Sequence, residues 1–531
     1  MTSDNSDQTD RIVYFGDSLT DGGTIFELTS QILAVPFPLA SEGYVGGVFS
    51  DGPVYSQVAP DLLGIGTVEN FAVGGARALG SRPISEIGGG ALDPLQLPGV
   101  DPELLAFDID FGGQIGRFLA GETADPFSGS TTASILIGLN DLAAFAADTG
   151  PDPVGAGTAL VENIVLTTFG AAQTLALQGD VDRIVLYTYP DASFFPFNQF
   201  LDPALQPLAD LLVEGHAAGL EAGAAQLNAA GIETIIVPLS EITGEIGADL
   251  GTFGFLNAGP VLFGSATDPD VAITPDGIEF SFPENPAVAG LDADQIVFYD
   301  LLHPTAATHG IFAAFTEAVL EDATHFLTDE ADIVRGTRDD DFVLAKGGND
   351  IVRTGRGEDV AFGGLGHDWI ATGRGDDIAS GGSGNDVVHG GRGADVVAGN
   401  AGNDWLTGGR GNDILIDGLG SDYAFGGRGN DVFLYTDGAL IGGETGADHD
   451  LFVGGRGYDT VFLAVRDEIR ADVEADAATS CFGINHIDAL NLTLIGIEDV
   501  VVVDDRQALA SVSVSGVQED LLAAADLWGL V

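Results

Sequence analysis

Ser18 stands just past a short run, Arg11-Ile12-Val13-Tyr14-Phe15, whose β-branched and aromatic side chains read as a buried strand. Gly16 ends that run, so Ser18 falls in the turn after it, where open α/β sheets bind ligands. A serine hydroxyl becomes a nucleophile when a base takes its proton and an acid orients the base. Far downstream, Asp300-Leu301-Leu302-His303 offers both: His303 to accept the proton, Asp300 to fix its tautomer. Attack on a carbonyl creates an oxyanion that needs preorganised donors. Two turns can supply them, Asn70-Phe71-Ala72-Val73-Gly74-Gly75-Ala76 and Gly138-Leu139-Asn140-Asp141, the second following Ser134-Ile135-Leu136-Ile137. A serine after a strand is also a common N-cap of the next helix. The four stretches together point to acyl transfer.

A second pattern has a different chemistry. From Asp332 an aspartate recurs every nine residues to Asp431, and the phase resumes at Asp450 and Asp459. The clearest units are Gly381-Gly382-Ser383-Gly384-Asn385-Asp386-Val387-Val388 and Gly408-Gly409-Arg410-Gly411-Asn412-Asp413-Ile414-Leu415. Glycines allow tight turns that bring carbonyls inward. Carbonyls and carboxylates together make the all-oxygen cage that Ca²⁺ prefers. The alternative is a solenoid without metal, which stacked rows of like charges argue against.

The four stretches around Ser18 resemble the SGNH, or GDSL, hydrolase family in order and spacing. Phe49-Ser50-Asp51-Gly52-Pro53 resembles the Phe-Ser-Asn-Gly-Pro stretch of its lipase/phospholipase branch, with Asp51 in place of the usual Asn. The resemblance spans roughly residues 11 to 327. It implies a nucleophile Ser18, a base His303 and an orienting Asp300. It also implies an oxyanion hole from the N–H of Ser18, the N–H of Gly75 and the amide of Asn140. The nonapeptide is similar to the calcium-binding RTX repeat. That resemblance implies structural Ca²⁺ on Asp341, Asp350, Asp359, Asp368, Asp377, Asp386, Asp395, Asp404, Asp413, Asp422, Asp431 and Asp459. Two nonapeptides would make one turn of a parallel β-roll. Lys346 and Asn400 replace the second glycine of their units, which predicts weaker sites there.

The elements that must position these residues follow. Residues 11–327 alternate strand-like and helix-like segments, predicting an SGNH-type α/β/α sandwich on a parallel sheet. Strands are expected at 132–137, 183–189 and 233–238, and helices at 157–178, 204–229 and 305–327. His216 is expected on a helix surface. The Gly/Pro-rich segments 80–102 and 251–290 read as loops at the site mouth, with Phe253, Phe255, Leu256 and Phe263, and with Phe194-Phe195-Pro196-Phe197, as an acyl-binding wall or as local packing. Residues 1–10 read as a disordered tail, 328–465 as the all-β parallel roll, and 466–531 as a β-cap with a C-terminal secretion signal. Val352, Ile370, Val388, Leu406 and Leu415 are expected to fill the roll's thin core.

With 531 residues, 81 Asp+Glu, 18 Lys+Arg and a formal charge of −63, the chain repels nucleic acid and anionic membrane surfaces at low salt. The one cysteine, Cys481, permits no internal disulfide and no cysteine zinc cluster. The N-terminal residues lack a basic start and an apolar core, so no cleaved N-terminal signal is expected, and no apolar run reaches the roughly 20 residues of a membrane span. These features lead to a secreted, extracellular serine ester hydrolase of lipase, esterase or phospholipase type. Its expected partners are an ester substrate, calcium and the type I secretion machinery. A polysaccharide deacetylase or a transacylase could use the same site. A non-catalytic adhesin or matrix protein is the rival of a different class.

Overall fold

Five short segments pair as one parallel sheet: β1 (Arg11–Gly16), β2 (Thr67–Asn70), β3 (Thr131–Leu136), β4 (Arg183–Tyr187) and β5 (Glu233–Val237), in the order β2-β1-β3-β4-β5. The structure is a computed structural model. It describes residues 9–23, 27, 48, 50, 53–63, 65–73, 76–80, 108–121, 129–147, 152–192, 194, 206–248, 250, 257–260, 270–274, 277–281, 296–298, 304–320, 324–436, 449–478 and 483–503. Two compact units form, Met1–Gly244 with Gly259–Glu317, and Glu245–Ala258 with Ala318–Val531.

Strands β1 and β3 are buried along their whole length, the mark of a parallel sheet covered on both faces. Val13 and Phe15 of β1 enter a core with Ile135, Ile184 and Leu186, closed by Val161, Ile164 and Leu175 of helix Pro153–Gln178 and Leu212 and Leu220 of helix Gln206–Ala229. Tyr14, between them, points to the other face and meets Tyr55 edge-on at 6.0 Å. The result is the expected α/β/α layering. Helix Pro153–Gln178 is long and apolar enough by composition to cross a membrane. One face of it, with Val161, Ile164, Val165, Ala172 and Leu175, packs into the core, and Asp152 caps its start.

Three differences from the sequence reading have physical causes. Strand β2, Thr67-Val68-Glu69-Asn70, is a half-exposed edge whose polar composition hides it. The helix expected at 305–327 runs only over Ala306–Leu320, and Thr324–Phe326 pairs instead with Phe342–Leu344 as the first strand of the roll's sheet. Asp10 is tied down, its N–H donating to the Ser130 carbonyl at 3.1 Å and its carboxylate accepting from the Ser130 N–H at 2.9 Å. Residues 1–8 lie outside the described ones.

The second unit is a parallel roll of two nine-stranded sheets. Strands pair with an 18-residue offset, as in Trp369↔Val387↔Trp405, so two nonapeptides make each turn. Val352, Ile370, Val388 and Leu406 are wholly buried and Leu415 nearly so. Lys346 (φ 68°) and Asn400 (φ 69°) hold the left-handed conformation that glycine holds elsewhere. Beyond the repeats, Leu492–Ile495 and Asp499–Val503 extend the two sheets and Ile484–Ile487 adds an antiparallel edge.

Gly16 admits no side chain. A Cβ there would lie 2.4 Å from the Leu136 carbonyl and 2.7 Å from Thr20 Oγ1. Gly16→Ala is therefore expected to destabilise the first unit by roughly 1–3 kcal/mol, the usual range for overpacking. Urea unfolding followed by the helical circular dichroism signal, which comes mainly from that unit, checks this, and an unchanged midpoint would contradict it.

Candidate active site and cation-binding rows

Strand order 2-1-3-4-5 places the reversal between β1 and β3, and ligands bind outside the carboxyl ends of the strands at such a switch point. Gly16, the last residue of β1, pairs with Leu136, the last of β3. Ser18 and Asn140 therefore both emerge at this crevice. Ser18 is partly exposed in a turn closed by Thr20 and Asp21 N–H groups donating to the Asp17 carbonyl at 3.1 and 2.9 Å. The Asp17 carboxylate accepts from Leu19 N–H at 3.2 Å.

Side chains from distant segments fix this turn. Gln114, wholly buried, grips Gly16 on both sides: its carbonyl accepts the Gly16 N–H at 2.9 Å and its amide donates to the Gly16 carbonyl at 2.8 Å. The Thr20 carbonyl accepts from the Asn70 amide and from Ser56 Oγ, each at 2.8 Å. Thr20 Oγ1 lies 3.1 Å from the Tyr55 hydroxyl.

The described residues flanking the candidate oxyanion donors are bonded to the same turn. Val73 N–H donates to the Gly16 carbonyl at 3.1 Å, and Ala76 N–H closes a turn onto Val73 O at 3.0 Å. The Asn140 amide donates one N–H to Ala76 O at 3.0 Å, which orients the group and leaves its second N–H for another acceptor. Its neighbour Asp141 accepts from Ala78 N–H at 2.7 Å, and burial pushes its carboxyl up to about 6 against that hydrogen bond. Gly74 and Gly75 lie outside the described residues, as do Asp300 and His303. Their flanks are described. Pro304, next to His303, has its carbonyl 3.2 Å from Ser50 Oγ, and Thr305 Oγ1 donates to Ile296 O at 2.8 Å. Residues 50 to 56 thus span from the segment after His303 to the turn after Ser18.

Behind Asn140, Tyr189 donates to the Ile137 carbonyl at 3.1 Å and fills the space a Cβ on Gly138 would need. His216 is buried, correcting its expected surface position. Its ring stacks on Tyr189 at 3.6 Å, and burial lowers its pKa to about 3, so it stays neutral. Phe194 is buried against Phe312 and belongs to the core, while Phe195, Phe197, Phe253, Phe255, Leu256 and Phe263 lie outside the described residues. Gln114 and Tyr189 were not singled out from the sequence. Gln114 carried a signal: it interrupts the apolar stripe Phe111, Ile115, Phe118 of its helix.

In the roll, the ladder aspartates form two buried rows. From Asp350 onward each accepts the backbone N–H of the aspartate one turn earlier on Oδ1, as Asp395 does from Asp377 at 3.1 Å and Asp404 from Asp386 at 2.8 Å. The other oxygen is the informative one. Oδ2 of Asp350, Asp368, Asp377, Asp386, Asp395, Asp404, Asp413, Asp422, Asp431 and Asp459 is buried with no hydrogen-bond donor. A Cβ on the first glycine of a unit would fall 2.3–2.7 Å from this oxygen, so that glycine keeps a cradle clear. Inward carbonyls complete it, such as Asp417 O beside Asp404. Buried anionic oxygens with carbonyl neighbours fit a hard cation of the calcium type.

Two assigned ligands differ. Asp341 Oδ2 accepts from Thr337 N–H at 2.6 Å, with His325 3.1 Å from its Oδ1, and Asp359 Oδ2 accepts from Thr354 Oγ1 at 2.5 Å. Protein donors already serve these two. Three acids are not among the assigned ligands, although Asp450 reads as part of the ladder. Asp450 takes its place in the row, accepting from Asp422 N–H at 2.9 Å across a turn lengthened to 28 residues. Asp417, standing where a unit has its first glycine, brings a carboxylate oxygen within 4.8 Å of those of Asp422 and Asp450. Glu498 ends the other row, accepting from Asp459 N–H at 2.8 Å.

Comparison with known families agrees with both halves. A family model described as GDSL-like Lipase/Acylhydrolase matches residues 12–315. The RTX calcium-binding nonapeptide repeat matches in four copies, at 327–361, 362–397, 398–433 and 444–462. No curated protein matches the chain significantly.

The rows make the roll's stability depend on pH. Burial first, then neighbouring carboxylates, push Asp395 up to about 9 and Asp422 to about 10, while burial pushes Asp386 to about 6. A carboxyl whose folded pKa is raised favours the folded state below its unfolded pKa, near 4, and loses that advantage as pH rises through the folded value. In chelator, the β signal of the roll is therefore expected to be strongest at or below about pH 4 and to fall steadily towards pH 8, where added calcium restores it. Circular dichroism across pH with and without calcium checks this. A signal in chelator that grows with pH would contradict it.

Proposed function

The chain belongs to the GDSL-like lipase/acylhydrolase family and is an esterase/lipase-type hydrolase with calcium-binding repeats, and we propose that it is a secreted serine hydrolase of acyl esters acting through Ser18, His303 and Asp300. The convergence at the β1/β3 crevice carries this reading: the Ser18 turn, the Val73–Ala76 turn and the Asn140 amide are bonded into one edge. The bridge from Ser50 to Pro304 and from Ser56 to Thr20 supports a base arriving beside Ser18.

In the proposed cycle His303 takes the Ser18 proton as Oγ attacks the ester carbonyl. The oxyanion is held by the N–H groups of Ser18 and Gly75 and by the second amide N–H of Asn140. Collapse of the tetrahedral intermediate breaks the ester C–O bond, and His303 returns its proton to the departing alcohol. Water, deprotonated by His303, then attacks the acyl-enzyme and releases the acid and free Ser18. Asp300 holds the imidazole in the tautomer that both half-reactions use.

Calcium, when bound, neutralises the aspartate rows and holds the turns of the roll together. The ten aspartates with unpaired Oδ2 would hold it. Binding to the folded form alone links folding to calcium concentration. We therefore place folding of the roll after export, with the C-terminal segment addressing the chain to a type I route.

Ser18→Ala and His303→Ala are expected to lose nearly all turnover on chromogenic esters while keeping the wild-type circular dichroism. Asn140→Ala should lose roughly 10²–10³-fold, the usual effect of removing one oxyanion donor. A panel of rising acyl length beside an acetylated polysaccharide identifies the acyl group. Full turnover in folded Ser18→Ala would overturn the assignment.

A further inference from the structure

The chain has only 18 Lys+Arg among 531 residues, yet seven arginines stand at one position of the repeat, 18 residues apart except for the last step of 28. Parallel pairing puts Arg374, Arg392, Arg410, Arg428 and Arg456 side by side in a single row, and all are exposed. Arg338 and Arg356 begin the same series. Adjacent strands lie about 4.8 Å apart, so the row is a regular line of guanidinium groups. The equivalent position on the alternate units carries Gly347, Leu365, Ser383, Ala401 and Leu419. The row is thus confined to one edge.

Like charges at that spacing repel, and the first rungs hold acids close by. Just before the ladder aspartate of each unit come Asp340, Glu358 and Asp376 in the first three rungs, but Ala394, Asn412, Asn430 and Tyr458 in the last four. Ion pairs among the described residues fall to Arg11, Arg183, His325, Arg470 and His486, and none reaches the row. Arg392, Arg410, Arg428 and Arg456 form a cationic line about 14 Å long, and the Asp376 carboxylate, which accepts from Ala394 N–H at 2.7 Å, reaches only its first rung.

The same strands carry exposed aromatic rings at their other end. Trp405 and Tyr423 are 49% and 44% exposed, and Trp405 stacks with Tyr423 at 5.8 Å and with Phe425 at 5.1 Å. Strand Trp405–Arg410 bears Trp405 and Arg410, and strand Tyr423–Arg428 bears Tyr423, Phe425 and Arg428. An apolar platform therefore shares these strands with the guanidinium line, five residues along the chain from it.

We propose that this face binds an anionic polysaccharide, with sugar rings on the Trp405–Tyr423–Phe425 platform and carboxylate or sulfate groups on Arg392, Arg410, Arg428 and Arg456. The line is one side chain wide and suits a single-file polymer with charge on every one or two rings. Duplex nucleic acid, with a charge every ~1.7 Å, would bring far more negative charge against a chain of −63. At physiological ionic strength the Debye length is about 8 Å, so acids on remote faces are screened while guanidiniums in direct contact are not.

The test is binding of fluorescently labelled hyaluronan to the full-length calcium-loaded protein, beside neutral dextran of equal length and single-stranded DNA. The proposal expects hyaluronan to bind in a salt-sensitive way and dextran not to bind. Replacing Arg392, Arg410, Arg428 and Arg456 together by Gln should weaken binding about tenfold or more. Replacing Arg338, Arg356 and Arg374 by Gln should leave most of it, and Trp405→Ala should weaken it without changing its salt dependence. Wild-type circular dichroism and esterase turnover confirm that the variants fold. No hyaluronan binding, undiminished binding by the folded four-residue variant, or tighter binding of single-stranded DNA would each overturn the proposal.

Discussion

A polar group taken out of water without a partner is unfavourable by about 1–3 kcal/mol, and more if it is charged. The two units meet this constraint in opposite ways. In the hydrolase unit the buried backbone at the end of β1 is satisfied from within, by Gln114 on Gly16 and by Asn70 and Ser56 on Thr20. In the roll the backbone is satisfied by the ladder itself, but one oxygen of most aspartates is left to a cation. One unit is closed by its own side chains, and the other is incomplete without an ion.

This difference has functional weight. A nucleophile gains from a turn that does not move, because a misplacement of about 1 Å can cost two orders of magnitude in rate. The Gln114 clamp, the Asn70 tether and the Tyr189 contact under Gly138 all act on the segments carrying Ser18 and Asn140. The roll needs the reverse property. Rows of buried carboxylates disfavour folding without cations, so under the proposed function its fold would respond to the medium.

Much of this was legible in the sequence because it is local. A strand ending in glycine announces Ser18, and a nine-residue period announces the roll, its core and most of its ligands. What escaped is long-range or breaks the pattern. Gln114 meets Gly16 across 98 residues, and no local signal names that partner. His216 reads as a surface residue until Tyr189 covers it. Strand β2 is short and polar because it is an edge. Asp417 occupies a glycine position and Glu498 substitutes for aspartate, so a strict period passes over both, while Asp450 returns to the ladder only after an insertion.

The central claim is that Ser18 is a nucleophile poised by its own protein surroundings. The most direct measurement is covalent labelling with a fluorophosphonate, in calcium and in excess chelator, with the adduct located by peptide mass spectrometry. One adduct is expected, on the peptide carrying Ser18, in both conditions and strongly slowed in His303→Ala. An adduct on another serine, or none on Ser18 in the calcium-loaded protein, would contradict it.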